Sequence, residues 1–185
     1  MRYDIAMQID SIIFRLLNSL VGHGEVFDLL VIFCVQYLPY ITVLAVLFFV
    51  WRQRESLKSG LNLAIKIFIP ALIARFAFAE IIKEAIARPR PFIDLTDAHT
   101  LLEEGSYSFP SGHATFFFAL ALSVYYLDEK WGKYLFAVAT LISVGRVIAG
   151  IHYPLDIVAG ALVGLFVASL IHSQWEFNLN KNVKC

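Results

Sequence analysis

Cysteine and net charge are both scarce in this sequence of 185 residues. The two cysteines, Cys34 in an apolar stretch and Cys185 at the last position, form no motif, so neither a disulfide framework nor a zinc site is expected. Only 16% of the residues are charged, and 15 basic residues balance 15 acidic ones. Without an excess of positive charge there is no strong field to attract a polyanion, so we expect no nucleic-acid partner.

Hydrophobic residues are abundant instead. They make up 59% of the chain, and the mean hydropathy is +0.70, whereas a soluble domain is about 45–50% apolar. The composition therefore predicts an integral membrane protein. No cleavable signal peptide is expected, because Asp4, Asp10 and Arg15 interrupt the N-terminal apolar segment.

The first 24 residues predict an amphipathic helix. Its apolar residues recur at helical spacing on one face, at Ile5, Ile9, Ile12, Ile13, Leu16, Leu17 and Leu20. Polar residues such as Asp10 and Asn18 occupy other positions. The apolar part, residues 11–21, is shorter than the about 20 residues that cross a bilayer. We therefore expect residues 1–24 to form an interfacial helix.

Five later stretches are apolar and long enough, or nearly long enough, to span the membrane. They are residues 26–50, 61–82, 114–127, 134–148 and 155–171. Pro39 is expected to kink the first of them. The sequence thus predicts one all-α domain over residues 1–185, a polytopic membrane helix bundle with about five transmembrane helices. A polar tail is expected over residues 176–185.

Basic residues indicate the orientation of this bundle. Two loops and the tail carry Arg52, Arg54, Lys58, Lys130, Lys133, Lys181 and Lys184. Cytoplasmic loops are enriched in Lys and Arg, so these segments are assigned to the cytoplasm. With five crossings, residues 83–110 and 149–153 then lie on the extracytoplasmic face. The acidic residues of the 94–104 stretch are interpreted as a solvated loop rather than a second binding site.

The first of three polar clusters on that face, residues 83–91, contains Lys83, Arg88 and Arg90. Cations at the end of a spanning helix often extend to lipid headgroups, and for this cluster alone that explanation is as good as a functional one. Further back in the same span, Lys66, Arg75 and Glu80 are interpreted as internally paired groups that support the bundle, with Lys83 or a protonated Glu84 as the partner of Glu80.

The second cluster, residues 109–113, immediately precedes an apolar helix. Ser111 can cap that helix, and Gly112 allows close approach of a ligand to the free N–H groups, which bind anions. An ordinary capped helix start would explain Ser111. It would not explain His113, which stands next to Gly112 in a costly apolar setting.

The third cluster runs from Arg146 to Asp156. Pro154 suits the first turn of a helix, and Asp156 lies four residues after His152, within reach of one imidazole nitrogen. Such a pair is by itself more often structural than catalytic. Together, however, the three clusters supply what phosphoryl transfer needs, namely cations for the phosphate oxygens, a nucleophile and an acid.

In order and spacing these clusters resemble the three-part signature of the type-2 phosphatidic acid phosphatase (PAP2) family. The matching residues are Lys83, six residues and Arg90-Pro91, then Pro110-Ser111-Gly112-His113, and last Arg146, five residues, His152, three residues and Asp156. The resemblance covers about residues 83–156. One departure is Gly145, because the family often has Ser directly before the third-motif Arg.

The resemblance implies a role for each matching residue. His152 would attack phosphorus and become a phosphohistidine, with Asp156 holding its ring. His113 would protonate the leaving oxygen and then activate water. The implied phosphate-binding groups are Lys83, Arg90, Ser111, the Gly112 backbone N–H and Arg146, with Arg88 at best an auxiliary. No metal and no cofactor is implied, because fixed cations neutralise the phosphate.

The resemblance also implies a substrate class, a lipid phosphate or diphosphate whose tail stays in the bilayer. Small bacterial members commonly convert undecaprenyl diphosphate to undecaprenyl phosphate on the outer side of the plasma (inner) membrane. Phosphatidate, phosphatidylglycerophosphate and a lipid A phosphate are alternatives. A transporter would instead spread polar residues through several helices at mid-depth, and a non-catalytic scaffold would not need the intact set of His113, His152 and Asp156.

A chelator separates this mechanism from a metal-dependent one. We expect phosphatase activity to persist in EDTA, and vanadate, which mimics five-coordinate phosphorus, to block it. The measurement is phosphate release with each additive. Activity lost in EDTA and restored by Mg²⁺ would contradict the mechanism.

Overall fold

The computed structural model describes the backbone of residues 2–183 and the side chains of residue 5 and residues 7–175. All regular structure in this part of the chain is helical, without strands, which confirms the all-α fold class. The helices are α1 (Arg2–Asn18), α2 (Glu25–Ile32), α3 (Leu38–Gln53), α4 (Leu57–Ile73), α5 (Glu80–Ile86), α6 (Pro91–Asp94), α7 (Gly112–Tyr125), α8 (Glu129–Ile148) and α9 (Pro154–Val183). Two π-helical segments, π1 (Phe33–Tyr37) and π2 (Ala74–Ala79), join α2 to α3 and α4 to α5.

Within the described residues, three helices are long and apolar enough to cross a membrane. They are Glu25–Gln53, Glu129–Ile148 and Pro154–Trp175. The second predicted span lies in the helix that α4, π2 and α5 form together. The third lies in α7, which is apolar but only 14 residues long. Three of the five predicted spans therefore correspond to helices with the length and composition of a transmembrane segment.

Helix boundaries differ from the sequence prediction where capping interactions set them. α8 begins at Glu129, earlier than predicted, because a side-chain oxygen of Asp128 accepts a hydrogen bond from the Trp131 N–H at 3.0 Å. The backbone of α9 stays helical to Val183. The side chains of the predicted polar tail, residues 176–185, lie outside the described residues.

The first long helix departs from α geometry in π1, immediately before Pro39. Proline has no N–H to donate, and its ring clashes with the carbonyl four residues earlier, here that of Val35. A π-helical turn widens the backbone at this point. The irregularity expected from Pro39 therefore takes the form of a π segment.

The core is built around α7, which packs against α4, α8 and α9. Glycines of α9 allow the backbones to approach closely. A Cβ on Gly164 would lie 2.2 Å from the carbonyl oxygen of Thr115, and one on Gly160 would lie 2.5 Å from that of Ser111. At the same end the Ser111 N–H donates to the Asp156 carbonyl at 2.9 Å. This packing fixes the second motif against the third.

Helix α1 turns its polar side toward the protein. Asp10, Phe14 and Asn18 are buried. The Asn18 amide donates to the carbonyls of His99 and Ile148 and accepts from the His99 N–H, each at 2.8 Å. Most of the predicted apolar face is exposed, namely Ile5, Ile9, Ile12, Ile13, Leu16 and Leu20. The amphipathic pattern exists, but α1 is attached to the protein through Asp10 and Asn18 together with Phe14, which packs against Val147 and Tyr153.

Candidate active site

The ends of several helices supply the residues of the three sequence motifs. Lys83 lies in the last turn of α5, Arg90 just before α6, Ser111, Gly112 and His113 at the start of α7, Arg146 in the last turn of α8, His152 in the connection to α9 and Asp156 in the first turn of α9. All of them are buried except His113, which is partly exposed. A buried charge needs a partner, so the contacts of these side chains decide what the cluster can do.

The first and third motifs meet at His152. Arg90 Nη1 lies 3.5 Å from His152 Nε2 and donates to the carbonyl of Ile151 at 3.1 Å. Ser106 connects the two cations of the first motif, because its hydroxyl lies 3.1 Å from Arg90 Nη2 and 3.3 Å from Lys83 Nζ. Two cations of the first motif and the imidazole of the third therefore belong to one buried cluster.

Burial and neighbouring charges favour the neutral form of the His152 imidazole. Burial lowers its pKa well below the usual value, and the positive charges of Arg146 and Arg90 lower it further. A neutral ring keeps a lone pair on one nitrogen, which a nucleophile requires. Because Nε2 faces Arg90, that nitrogen is directed toward the cations that would hold an anion.

Asp156 is bound on several sides. Its carboxylate accepts hydrogen bonds from Arg88 Nη1 at 2.8 Å, from the Tyr153 N–H at 2.8 Å and from the Ser108 hydroxyl. His152 Nδ1 lies 3.5 Å from Asp156 Oδ2, longer than a normal hydrogen bond. Among the described residues, this buried nitrogen has no hydrogen-bond partner. Asp156 thus faces the ring as the sequence predicted, but the contact is loose.

Glu104 lies between two of the motif arginines. Its carboxylate contacts Arg90 Nη2 at 2.8 Å and also pairs with Arg146 Nη2. Burial raises the pKa of Glu104, but the Arg146 and Arg90 charges outweigh burial and lower the pKa to about 2. The interpretation of residues 94–104 as a solvated loop is therefore wrong for Glu104. The sequence alone does not indicate this contact, because Glu104 lies in a long loop, well separated along the chain from both arginines.

Arg88 and Asp10 form a second ionic layer that the sequence reasoning did not find. Arg88 donates from Nη2 to Asp10 Oδ2 at 2.7 Å, while its other terminal nitrogen holds Asp156. Asp10 also accepts from the Leu155 N–H at 2.8 Å. The Arg88 guanidinium carbon lies 3.9 Å from the centroid of the Tyr153 ring. The sequence indication of a role for Asp10 was its charge within the apolar pattern of the N-terminal helix.

A cavity of about 590 Å³ opens beside this cluster. Its polar end is lined by Gly112, His113, Arg146 and Glu104. Its apolar lining comes from α3, π1, α4, π2 and α7, with Val35, Pro39, Tyr40, Val43, Leu72, Phe76, Phe116 and Phe117. Such a combination suits a ligand with an anionic head and an apolar tail. Among the described residues, no group of three or more His, Cys, Asp or Glu side chains could hold a metal ion.

Comparison with known proteins decides the family. The PAP2 superfamily model matches residues 64–180, which include all three motifs. The chain belongs to the PAP2 superfamily. The resemblance of the motifs is thereby confirmed, and with it the class of membrane lipid phosphatases, which are hydrolases.

Individual PAP2 relatives agree with this assignment. The chain is 31% identical to the bacitracin transport permease protein BcrC of Bacillus licheniformis, over 85% of this chain and 76% of that protein. It is 32% identical to an undecaprenyl-diphosphatase of Sulfolobus acidocaldarius, over 83% and 74% of the two chains. The crystal structure of Aquifex aeolicus LpxE superposes with a TM-score of 0.69 and 26% identity, covering 85% of this chain and 91% of that one.

Replacing Glu104 tests whether its carboxylate competes with phosphate for the two guanidinium groups. We expect Glu104→Gln to bind orthovanadate about threefold to tenfold more tightly, because a neutral amide is a weaker acceptor from Arg90 and Arg146 than a carboxylate. The measurement is inhibition of phosphate release by vanadate. Glu103→Gln, at the exposed neighbouring position, should keep the wild-type inhibition. Weaker inhibition of Glu104→Gln would mean that Glu104 holds the arginines in place.

Proposed function

We propose that this protein hydrolyses undecaprenyl diphosphate to undecaprenyl phosphate through a phosphohistidine on His152. The observation that carries the proposal is the contact between His152 Nε2 and Arg90, 3.5 Å apart in a buried cluster of cations. A neutral imidazole beside fixed positive charges can attack a phosphorus atom whose oxygens those charges hold.

The first chemical step forms a bond between His152 Nε2 and the terminal phosphorus and breaks the bond from that phosphorus to the leaving oxygen. His113, protonated in the complex with the anionic substrate, gives this proton to the leaving oxygen. Asp156, supported by Arg88, offsets the positive charge that develops on the imidazole. In the second step water attacks the phosphorus of the phosphohistidine, and His113 takes a proton from the water. The bond between phosphorus and His152 Nε2 breaks, and inorganic phosphate leaves.

The phosphate oxygens are bound by Lys83, Arg90 and Arg146, joined by Ser111 and the Gly112 N–H at the start of α7. Helix N-termini favour anions because their first N–H groups are free. Glu104 occupies two of the guanidinium groups, so it leaves them when phosphate arrives. Fixed cations thus replace the metal ion of many other phosphoryl-transfer sites.

The choice of substrate rests on the relatives and on the cavity. The relative from Sulfolobus acidocaldarius is named an undecaprenyl-diphosphatase, and the apolar lining of the cavity suits a lipid tail. Phosphatidate, phosphatidylglycerophosphate and a lipid A phosphate present the same phosphate chemistry to the motifs. They are the alternatives that a substrate panel separates.

A transporter is the candidate from another class, because the relative from Bacillus licheniformis is named a transport permease. An ion path would spread polar residues along several helices at mid-depth. The buried ionic groups favour catalysis instead, because they gather at the ends of helices. Arg90 and Arg146 both contact Glu104, and Asp156 contacts Arg88 and His152. A scaffold without activity would not need His113 next to this cluster.

We further propose that the whole chain is one domain with five transmembrane helices, and that α1 lies in the interface of a bacterial inner membrane. Exposure of the α1 isoleucines supports the interfacial position. The short α7 can serve as a span because other helices surround it. The basic residues of the loops support an active site on the extracytoplasmic face.

Loss of the nucleophile tests the chemistry. We expect His152→Ala to lose at least about 10³-fold in phosphate release, because the variant lacks the imidazole that forms the proposed covalent intermediate. The measurement is phosphate release in detergent from undecaprenyl diphosphate, phosphatidate, phosphatidylglycerophosphate and lipid A phosphate. His23→Ala, at an exposed histidine, is the matched control. Wild-type turnover by His152→Ala would refute the nucleophile assignment.

Labelling of single cysteines tests the orientation. In a background with Cys34→Ser and Cys185→Ser, we expect a membrane-impermeant thiol reagent to label Thr100→Cys in intact cells but not Ser56→Cys. Both positions are exposed on the protein surface, so accessibility depends on the side of the membrane. The reverse pattern would turn the site toward the cytoplasm.

A further inference from the structure

Arg75 is a cation outside the three motifs, and its side chain reaches the second motif. It belongs to π2 and forms an ion pair with Glu80 in the same long helix, whereas the sequence suggested Lys83 or Glu84 as the partner of Glu80. The guanidinium also lies against the start of α7, because a Cβ on Gly112 would be only 2.3 Å from Arg75 Nε. Internal pairing with Glu80 alone does not account for that position.

Arg75 lines the cavity and has both polar and apolar neighbours. Gly112, which Arg75 approaches closely, lines the cavity together with His113 and Arg146. The guanidinium carbon also lies 5.1 Å from the centroid of the Phe76 ring, which belongs to the apolar lining. Arg75 is thus a cation that contacts both the second motif and the apolar lining of the cavity.

The two π-helical segments border this same cavity. Val35 and Gln36 of π1 and Arg75 and Phe76 of π2 line it. π-helical turns are rare and often occur at functional sites, because the extra residue redirects side chains. The backbone irregularity at π2 is therefore located where Arg75 enters the cavity.

The charge of Arg75 acts on the motif cations. The pKa of Arg90 is lowered chiefly by burial, and the positive charge of Arg75 is one of the smaller contributions in the same direction. A cation held near other cations is unfavourable in the empty site. An anion bound among them removes that repulsion.

The proposed reaction places the leaving group in this cavity. His152 is fully buried, whereas His113, the acid that protonates the leaving oxygen, lines the cavity together with Arg75. A phosphoryl group bound at His152 therefore has its leaving oxygen on the cavity side. The group attached to that oxygen therefore lies in the cavity that Arg75 lines.

We propose that Arg75 binds the lipid-linked phosphate of a diphosphate substrate and makes the enzyme select diphosphates over monophosphates of the same lipid. The proposal rests on the proposed phosphatase function. When the bond between the bridging oxygen and the terminal phosphorus breaks, the electron pair stays on the bridging oxygen of the departing lipid phosphate. Arg75 stabilises this phosphate with a charge-assisted hydrogen bond. A lipid monophosphate releases an alcohol, which offers Arg75 no anionic oxygen.

Two substrates with one tail measure this selectivity. Farnesyl diphosphate and farnesyl phosphate are hydrolysed in detergent by the wild type and by Arg75→Gln. We expect kcat/KM for the diphosphate to fall about tenfold or more, in keeping with the loss of a hydrogen bond between charged groups. For the monophosphate it should fall less than about threefold, since the phosphate cluster is intact. Inhibition by orthovanadate, which fills only that cluster, should stay at the wild-type level.

Glu80→Gln is the matched control, because it breaks the same ion pair but keeps the Arg75 guanidinium. It should retain the wild-type preference for the diphosphate. If Arg75→Gln does not purify as a folded protein, Arg75→Lys replaces it. Lysine keeps the positive charge but lacks the planar guanidinium. The preference of this variant for the diphosphate should therefore lie between those expected for Arg75→Gln and the wild type.

The possible failures are distinguishable. Equal losses on both substrates with weaker vanadate inhibition, or an unchanged preference in Arg75→Gln and Arg75→Lys, would overturn the role of Arg75 and leave the phosphatase function standing. Loss of the preference in Glu80→Gln would assign the effect to the ion pair instead of the guanidinium. A wild-type protein that hydrolyses neither substrate would overturn the proposed function and this inference with it.

Discussion

Compensation of buried positive charge is the constraint on which the rest of this structure depends. Lys83, Arg90 and Arg146 lie at helix ends with almost no access to water, and removing an ion from water costs several kcal/mol unless the protein supplies partners. Glu104 supplies one for both arginines, and the Ser106 hydroxyl bridges Arg90 and Lys83. These contacts explain why a loop of polar residues is folded tightly against an otherwise apolar bundle. They also keep the cations at fixed positions before a ligand arrives.

The same constraint explains how α1 is attached. Arg88 needs acceptors for both of its terminal nitrogens, and Asp10 and Asp156 provide them. The N-terminal helix is thus linked through ionic contacts to the first turn of α9, close to His152. Hydrophobic burial holds α7, α8 and α9 together. Small apolar clusters also hold α1 and the 95–110 loop, to which the polar contacts around the candidate site are added. Removing one member of such a buried pair typically costs about 3–5 kcal/mol.

Much of this arrangement was predictable from the sequence. The remainder was not predictable, and the reasons can be identified. The motif spacings predicted which side chains gather, because each motif stands next to the end of an apolar stretch. Glu104 and Ser106 escaped prediction because they act through contacts distant in sequence, and a loop has no periodicity to indicate direction. Asp10 was correctly assigned to the polar side of an amphipathic helix. An amphipathic pattern does not indicate which side of the helix packs against the protein. The two π segments depend on local geometry that hydrophobic patterning does not encode.

The close packing of α7 against α9 has a consequence for different membranes. Bilayer thickness acts on helices whose outer surfaces meet lipid, which respond by tilting. α7 is short and mostly buried, and its depth relative to α9 is set by backbone contacts at Gly160 and Gly164. A thicker or thinner bilayer would therefore tilt the bundle as a unit without sliding Ser111 past Asp156. Hydrophobic mismatch changes the position of the site in the membrane, while its internal distances stay the same.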